Sequence, residues 1–283
     1  MIDYNNIPLP GLYADIPAQD YHSWFAASNS LLSEMLVTPA HCKIAMDRVS
    51  EPTPAMTFGS AVHAAILEPS LFETTWGSLP PDLDGRTKEG KAQKAALLET
   101  YGDRLLSDDS MQKLRNIVKT VRAHPSAAYL LDSASAHEIS AVWRSGQADV
   151  LCKARFDSYC RELGIICDLK TTDDVSTAAL ERSIFNFGYH RQSAHYLEAA
   201  QVLDLNLDKF VFIFVEKSEP HSVRVLELHA DAILAGRAQL DRTLIKWKSC
   251  LASGIYPGYS DQIEVINLPS YAINQINNEA VND

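Results

Sequence analysis

The chain has no apolar run long enough to span a membrane, and Met1-Ile2-Asp3-Tyr4 does not open a basic-then-apolar leader. These absences predict a soluble, cytoplasmic protein with no membrane partner. It also lacks any C-x-x-C pair. Its five cysteines, Cys42, Cys152, Cys160, Cys167 and Cys250, are odd in number, which without a secretory leader argues for free thiols. Internal repeats, low-complexity segments and a long Gly/Ser linker are missing too, so nothing marks the chain as an array of units. Positive charge is in short supply. With 25 Lys and Arg against 36 Asp and Glu, the net charge of −11 does not advertise nucleic-acid binding.

What is present is apolar material. Hydrophobic residues make up 46% of 283, ample for the core of one large domain. The expected organisation is an extended, proline-containing arm over 1–20, a single domain over 21–270 and a tail over 271–283. Ser30 reads as the N-cap of a helix that Thr38-Pro39 stops. A short helix over about 40–47 and an apolar one over 55–68 follow, then two polar helices over 88–101 and 108–123. Three strands are expected over 139–144, 149–157 and 165–171. A long helix over 175–203, broken near Gly188, precedes strands over 210–216 and 223–228 and a last helix over 231–253. This order describes an α/β domain with a mixed sheet flanked by helices.

The most informative stretch is Ala148–Thr171, ADVLCKARFDSYCRELGIICDLKT. Two apolar runs flank a turn-like Cys160–Gly164, which predicts an antiparallel hairpin. Asp168 and Lys170, at i and i+2, share one face of a strand. Asp157, near the end of the partner strand, is placed to meet Asp168. Two acids beside a lysine form a hard oxygen site for Mg²⁺, with an ammonium left for a water or a phosphate oxygen. An isolated D-x-K is usually just a solvent-facing strand edge, so further groups must support it. In Phe58–Ala65, Gly59 and His63 share a helical face at i and i+4, with glycine permitting close approach and His63 a candidate ligand. After the D-x-K strand, Gly188, Gln192 and Tyr196 line one helical stripe, where Gln192 and Tyr196 can hold a phosphate or a base edge. Arg86-Thr87-Lys88-Glu89-Gly90-Lys91 supplies a local basic strip, although a solvated helix face accounts for most of its lysines as well.

Taken in order, G-x-x-x-H, D, D-x-K and Q-x-x-x-Y resemble the PD-(D/E)xK nuclease superfamily, in the branch of the RecB nuclease domain, lambda exonuclease and exonuclease VIII (RecE). Further likeness lies in Tyr21-His22, Phe58-Gly59 through Leu67-Glu68-Pro69, Arg86–Lys91, Arg155-Phe156-Asp157 and Tyr256–Tyr259, so that it spans about residues 15–270. The resemblance implies that His63, Asp157, Asp168 and the Leu169 carbonyl hold Mg²⁺, for which Mn²⁺ substitutes. It implies that Lys170 orients or helps deprotonate the attacking water, and that Gln192 and Tyr196 position the scissile strand. Glu138 matches an acidic position of the superfamily. Glu138, Arg155, Arg86, Lys88 and Lys91 are the expected substrate contacts, and Ser30, at a helix start, the receiver of a terminal 5′-phosphate. Relatives often have proline where Phe156 precedes the first metal aspartate. Some carry a four-cysteine iron–sulfur cluster, which is not expected here because three of the cysteines lie on or inside the hairpin.

The implied activity is Mg²⁺-dependent 5′→3′ degradation of linear double-stranded DNA by a phage or prophage enzyme, exposing 3′ strands for a RecT-like single-strand annealing protein. A homo-oligomer is expected by the same resemblance. Two alternatives stand beside it. One keeps the chemistry but changes the substrate, as in a Cas4-like or AddB-like nuclease or an endonuclease. The other is a non-catalytic subunit that binds DNA ends.

Overall fold

The computed structural model describes residues 2–48 and 51–279. The chain opens with β1 (Gly11–Tyr13), α1 (Ala18–Ser23), α2 (Asn29–Val37), α3 (Pro39–Asp47), α4 (Pro54–Leu67) and α5 (Pro69–Thr75). Then come β2 (Gly77–Ser78), α6 (Lys88–Tyr101), β3 (Leu105–Leu106), α7 (Asp108–Ala123) and α8 (Pro125–Asp132). Three long strands follow, β4 (Ala136–Arg144), β5 (Leu151–Cys160) and β6 (Ile165–Thr172). The rest is α9 (Thr177–Asn186), α10 (Tyr189–Val202), β7 (Lys209–Glu216), β8 (Val223–Glu227), α11 (Ala230–Ser253) and α12 (Ser270–Glu279).

Six strands form one sheet in the order β1-β4-β5-β6-β7-β8. Only the β6–β7 neighbours run parallel; the other pairs are antiparallel. A parallel pair needs a long crossover, and α9 with α10 supplies it. The sheet is thus the expected mixed sheet flanked by helices. β7 explains its own sequence. Its Phe210, Phe212 and Phe214 enter the core shared with α2, α3, α10 and α11, while Val211, Ile213 and Val215 enter the core shared with α4, α7 and α8. A strand covered on both faces has no polar side, so Phe-Val-Phe-Ile-Phe-Val reads as a continuous apolar run.

Residues 2–20 are tied to the domain at several points rather than lying on it as an arm. Ile2 is buried and donates its backbone N–H to the Met46 carbonyl, and β1 extends the sheet along β4. Neither α1 nor α8 was legible, being six and eight residues long and opened by proline-containing turns. The hairpin strand runs through Cys160, leaving a turn of 161–164. The helix expected over 175–203 is two helices. Gly188 sits between them at φ +67°, a left-handed conformation that glycine adopts without strain. The tail carries the exposed α12 rather than being irregular throughout.

Helix α10, which reaches the site, is set against α11 by another glycine. A Cβ at Gly236 would lie 2.1 Å from the His190 carbonyl oxygen, a backbone atom that cannot turn aside. Gly236→Ala is therefore expected to cost about 2–3 kcal/mol by forcing the helices apart. Chemical denaturation should show a lower midpoint at unchanged slope. An unchanged midpoint would show that the two helices separate freely.

Candidate active site

The hairpin is a fork. β5 and β6 pair at Ser158–Cys167, Tyr159–Ile166 and Cys160–Ile165. Asp157 and Asp168 come next in register, and there the backbone ladder stops. In the opening, Asp157 Oδ2 accepts the Leu169 N–H at 2.8 Å, replacing the carbonyl of a continued ladder. The N–H and C=O of one strand residue point to the same edge, so the Leu169 carbonyl faces this gap as well.

Two further elements close on the opening. α4 packs against β5 and β6, and brings His63 Nδ1 to 3.4 Å from Asp157 Oδ2. Gly59 on the same helix is not required by packing, because an added Cβ would meet Thr171 Oγ1 at an ordinary 3.9 Å. β4 brings Glu138, which lies inside the strand rather than before it and has φ +50°. A non-glycine residue in that region stores strain, and the neighbouring pairs His137–Ser158 and Ile139–Phe156 hold it there, opposite Asp157. One ligand atom from each of His63, Glu138 and Asp157 lies within 4.8 Å of the others.

Asp168 and Lys170 line the face of β6 turned toward α10. Asp168 is fully buried. Gln192 Nε2 donates to its Oδ1 at 2.6 Å, and Lys170 Nζ forms an ion pair with its Oδ2. Apart from that ammonium, Oδ2 has no hydrogen-bond partner. Lys170 Nζ also lies 5.2 Å from the centre of the Tyr189 ring, a favourable place for a cation. Tyr196, one turn past Gln192, packs its ring on Phe156 and Phe210, and its hydroxyl meets Gln192. Phe156, where proline was the comparison, is a fully buried core residue.

The electrostatics suit a bound cation. Burial first, then the Asp157 carboxylate, push the Glu138 pKa up to about 8. Burial also raises Asp168 to about 6, with Asp157 adding and Lys170 opposing. Burial disfavours the charge on Lys170, but Asp168 and Asp157 outweigh it and leave the ammonium more stable than usual. Two carboxylates and an imidazole share the opening with a third carboxylate, Asp168, buried on the adjoining strand, and Glu138 and Asp168 resist ionisation. A divalent cation relieves that crowding, and hard oxygens plus one nitrogen are suitable donors for it. Of the residues expected to hold the metal, His63 and Asp157 converge, together with Glu138, while Asp168 and Leu169 stand on the adjoining strand, Leu169 bonded to Asp157.

Other expected contacts lie elsewhere or are already engaged. Arg155 donates to the Ser140 hydroxyl and the Ile16 carbonyl, and stacks over Tyr21, which fixes the N-terminal segment to β5. Arg86 forms a two-pronged pair with Asp84. The Arg86–Lys91 motif is a helix start: Thr87 caps α6, and a Cβ at Gly90 would lie 2.0 Å from the Asp84 carbonyl. Lys88 and Lys91 are exposed on α6, which packs on β3 and the turn at Gly102–Arg104. Ser30 is not the N-cap of α2. That role belongs to Ser28, whose Oγ accepts the Leu31 N–H at 3.4 Å and lies 3.0 Å from Ser30 Oγ. The sequence reading missed Arg191. Its guanidinium, 4% exposed, donates to Asn29 Oδ1, Gln239 Oε1 and Ser33 Oγ, all neutral acceptors. Nothing local in Tyr189-His190-Arg191 signals that contact, because its partners lie about 160 and 50 residues away.

A family model described as a PDDEXK-like domain of unknown function (DUF3799) matches residues 28–269. No curated protein matches the chain significantly. Among solved structures, a provisionally named exonuclease from Eubacterium rectale superposes with a TM-score of 0.62 at 14% identity. That match covers 93% of this chain and 98% of the other, and supports the fold. A phage related exonuclease from Haemophilus somnus 129PT matches 66% of this chain and 95% of its own. Its 13% identity and TM-score of 0.32 are too loose to bear on the fold.

Proposed function

Because the chain belongs to the PDDEXK-like family DUF3799, we propose that it is a Mg²⁺-dependent exodeoxyribonuclease that degrades linear duplex DNA, 5′→3′, and leaves 3′ single strands. The observation that carries this reading is the fork. His63, Glu138 and Asp157 converge within 4.8 Å, and the Asp168–Lys170 pair stands on the adjoining strand. The reading extends to a phage or prophage origin, a RecE-like place in annealing recombination with a RecT-like partner, and a homo-oligomer.

His63, Asp157, Asp168, Glu138 and the Leu169 carbonyl would hold the cation. When bound, Mg²⁺ supplies Lewis acidity toward a phosphate oxygen and lowers the pKa of water. The chain's own residues do the positioning. Gln192 fixes one oxygen of Asp168 and leaves the other toward Lys170. Lys170 stays an ammonium, so it orients water or phosphate oxygen by donating hydrogen bonds and offsets the charge that builds on the phosphoryl group. Tyr196 steadies Gln192 rather than reaching the substrate. Among the described residues no helix is long and apolar enough to cross a membrane.

Linear duplexes labelled at the 5′ or the 3′ end, with and without Mg²⁺, test the proposal. Label should be released from the 5′ end first and only with metal, while covalently closed circles are spared. Nicking of closed circles at a comparable rate would make the protein an endonuclease.

The terminal phosphate belongs, in this reading, at the first turn of α2, near Ser30. Free amides and the helix dipole favour an anion there, and the buried Arg191 adds a cation with no carboxylate among its described partners. Duplexes with a 5′-phosphate should be cut about tenfold or more faster than 5′-hydroxyl ones, and Arg191→Gln should abolish that preference. Equal initial rates on both ends, unaffected by Ser30→Ala, would leave this turn a purely structural joint.

A further inference from the structure

The face of β6 that carries Asp168 and Lys170 continues to Thr172, two residues further on. There a cavity of about 330 Å³ opens between the ends of β6 and β7 and helix α9. Such a volume is at the small end of the ~300–1,000 Å³ range of ligand pockets. Its walls are of two kinds. Phe187, Tyr189 and Phe214 are flat and apolar, whereas Thr172, Ser183 and Asp173 offer hydroxyls and a carboxylate.

Three observations point to what it takes. First, the cavity adjoins the candidate active site, because Tyr189 forms part of its wall and also lies 5.2 Å from Lys170 Nζ. Second, one ring of its aromatic wall is not used by the fold, whereas Phe214 and Tyr189 belong to or pack on the core. Phe187 is 64% exposed, with its ring 5.7 Å from that of Tyr189, and Phe185 beside it is 73% exposed and stacked on His190. Third, the rim is unsuited to phosphate. Asp173 pairs with Lys217 at 2.7 Å, and Asp174 adds a second carboxylate, bound to the Ser176 N–H, with no second cation in the wall. A flat, neutral group with amino donors on its edge matches this rim; a phosphodiester belongs at Lys170.

We infer that this cavity receives an unpaired nucleobase of the strand being cut, stacked against Phe187 and Tyr189 with its edge toward Thr172, Ser183 and Asp173. The inference rests on the nuclease reading and deepens it. Every base has a π-face, so such a platform tolerates sequence while requiring that the base leave its stack. Phe187 is then a positioning residue: it fixes the nucleotide next to the scissile phosphate without touching the reacting atoms.

The test is a cycle on wild type and Phe187→Ala. Both are given linear duplexes that are intact or carry one abasic nucleotide at successive positions of the terminal four. At one position, removal of the base should raise KM about tenfold for wild type. Phe187→Ala should show about the same rise on intact DNA, with no further rise on the abasic substrate, because the two changes delete one contact. Phe187 is exposed, so its loss leaves folding undisturbed. Wild-type cleavage that ignores every abasic position, or effects of the two changes that multiply independently, would overturn the inference and leave the nuclease reading standing. Failure of wild type to cut any DNA would remove both. A drop in oligomeric state on sedimentation of Phe187→Ala, with no change in KM, would make the surface a contact between copies and also overturn it.

Discussion

Asp168→Ala and Lys170→Ala are each expected to lower metal-dependent DNA cleavage by about a hundredfold to a thousandfold. Asp168 is buried beside Asp157, with Gln192 on its Oδ1 and the Lys170 ammonium on its Oδ2. Its removal takes away a ligand and releases the ammonium. In the proposed mechanism, removing Lys170 deletes a cation that would meet charge building on the phosphoryl group, and a single preorganised donor of this kind accounts for about 10²–10³ in rate. Each single change also leaves a buried charge without its partner, which destabilises by about 3–5 kcal/mol. Rates should therefore be compared by single turnover at a temperature where circular dichroism shows both variants folded. Asp168→Asn combined with Lys170→Met removes both charges together and should recover most of the stability and none of the activity. Near wild-type cleavage by either folded single variant would remove the nuclease assignment from this site.

Lys153→Met is expected to destabilise the protein by about 3 kcal/mol or more without touching the fork. Lys153 is 2% exposed and has no carboxylate beside it. Its Nζ donates to the Tyr21 and Trp24 carbonyls at 2.8 Å and the His22 carbonyl at 3.3 Å. The Tyr21 and His22 carbonyls lie in the last turn of α1 (Ala18–Ser23), and the Trp24 carbonyl, just past it, also accepts the Ala26 N–H at 3.0 Å, so a buried amine caps a short helix. Methionine keeps the volume but strands the Tyr21 and His22 carbonyls, at about 1–3 kcal/mol for each one left unpaired. The pH dependence has a definite sign. Burial, with Arg155 adding, lowers the Lys153 pKa to about 7, against 10.5 unfolded. Between those values the unfolded chain binds one more proton than the folded one, so this group makes stability rise with pH from about 7 to 10.5. Urea midpoints across that window should rise in wild type and lose the rise in Lys153→Met. A variant as stable as wild type, with the same slope, would mean that water satisfies the end of α1.

The sequence reading found the hairpin because periodicity and turn residues are local. It placed Asp157 opposite Asp168 because antiparallel register follows from the turn. It could not see that the ladder breaks at that pair, since nothing in Phe156-Asp157-Ser158 marks where two strands part. Glu138 was assigned to substrate rather than to the ligands because its position depends on a strained backbone held from β5. Gln192 was read as reaching DNA, whereas its amide is bonded to Asp168. Arg155 and Arg86 looked like free cations, a reading that charge alone cannot correct. Guanidinium groups are as readily held by carbonyls and hydroxyls of distant segments as by phosphate, and only the folded chain says which.

By itself the sequence determined what repeats over a few residues: the continuous apolar β7, the helix stops at Thr38-Pro39 and Glu68-Pro69, the hairpin and the shared face of Asp168 and Lys170. These follow from backbone geometry and from burial, which act at short range. The tertiary structure decided which acids share one opening, which cations are already engaged, and that a partly aromatic cavity lies next to Lys170 across Tyr189. Those depend on contacts between residues tens to more than a hundred positions apart. Their energies reside in burial and in charges brought within a few ångströms, and neither exists until the sheet and its helices have closed.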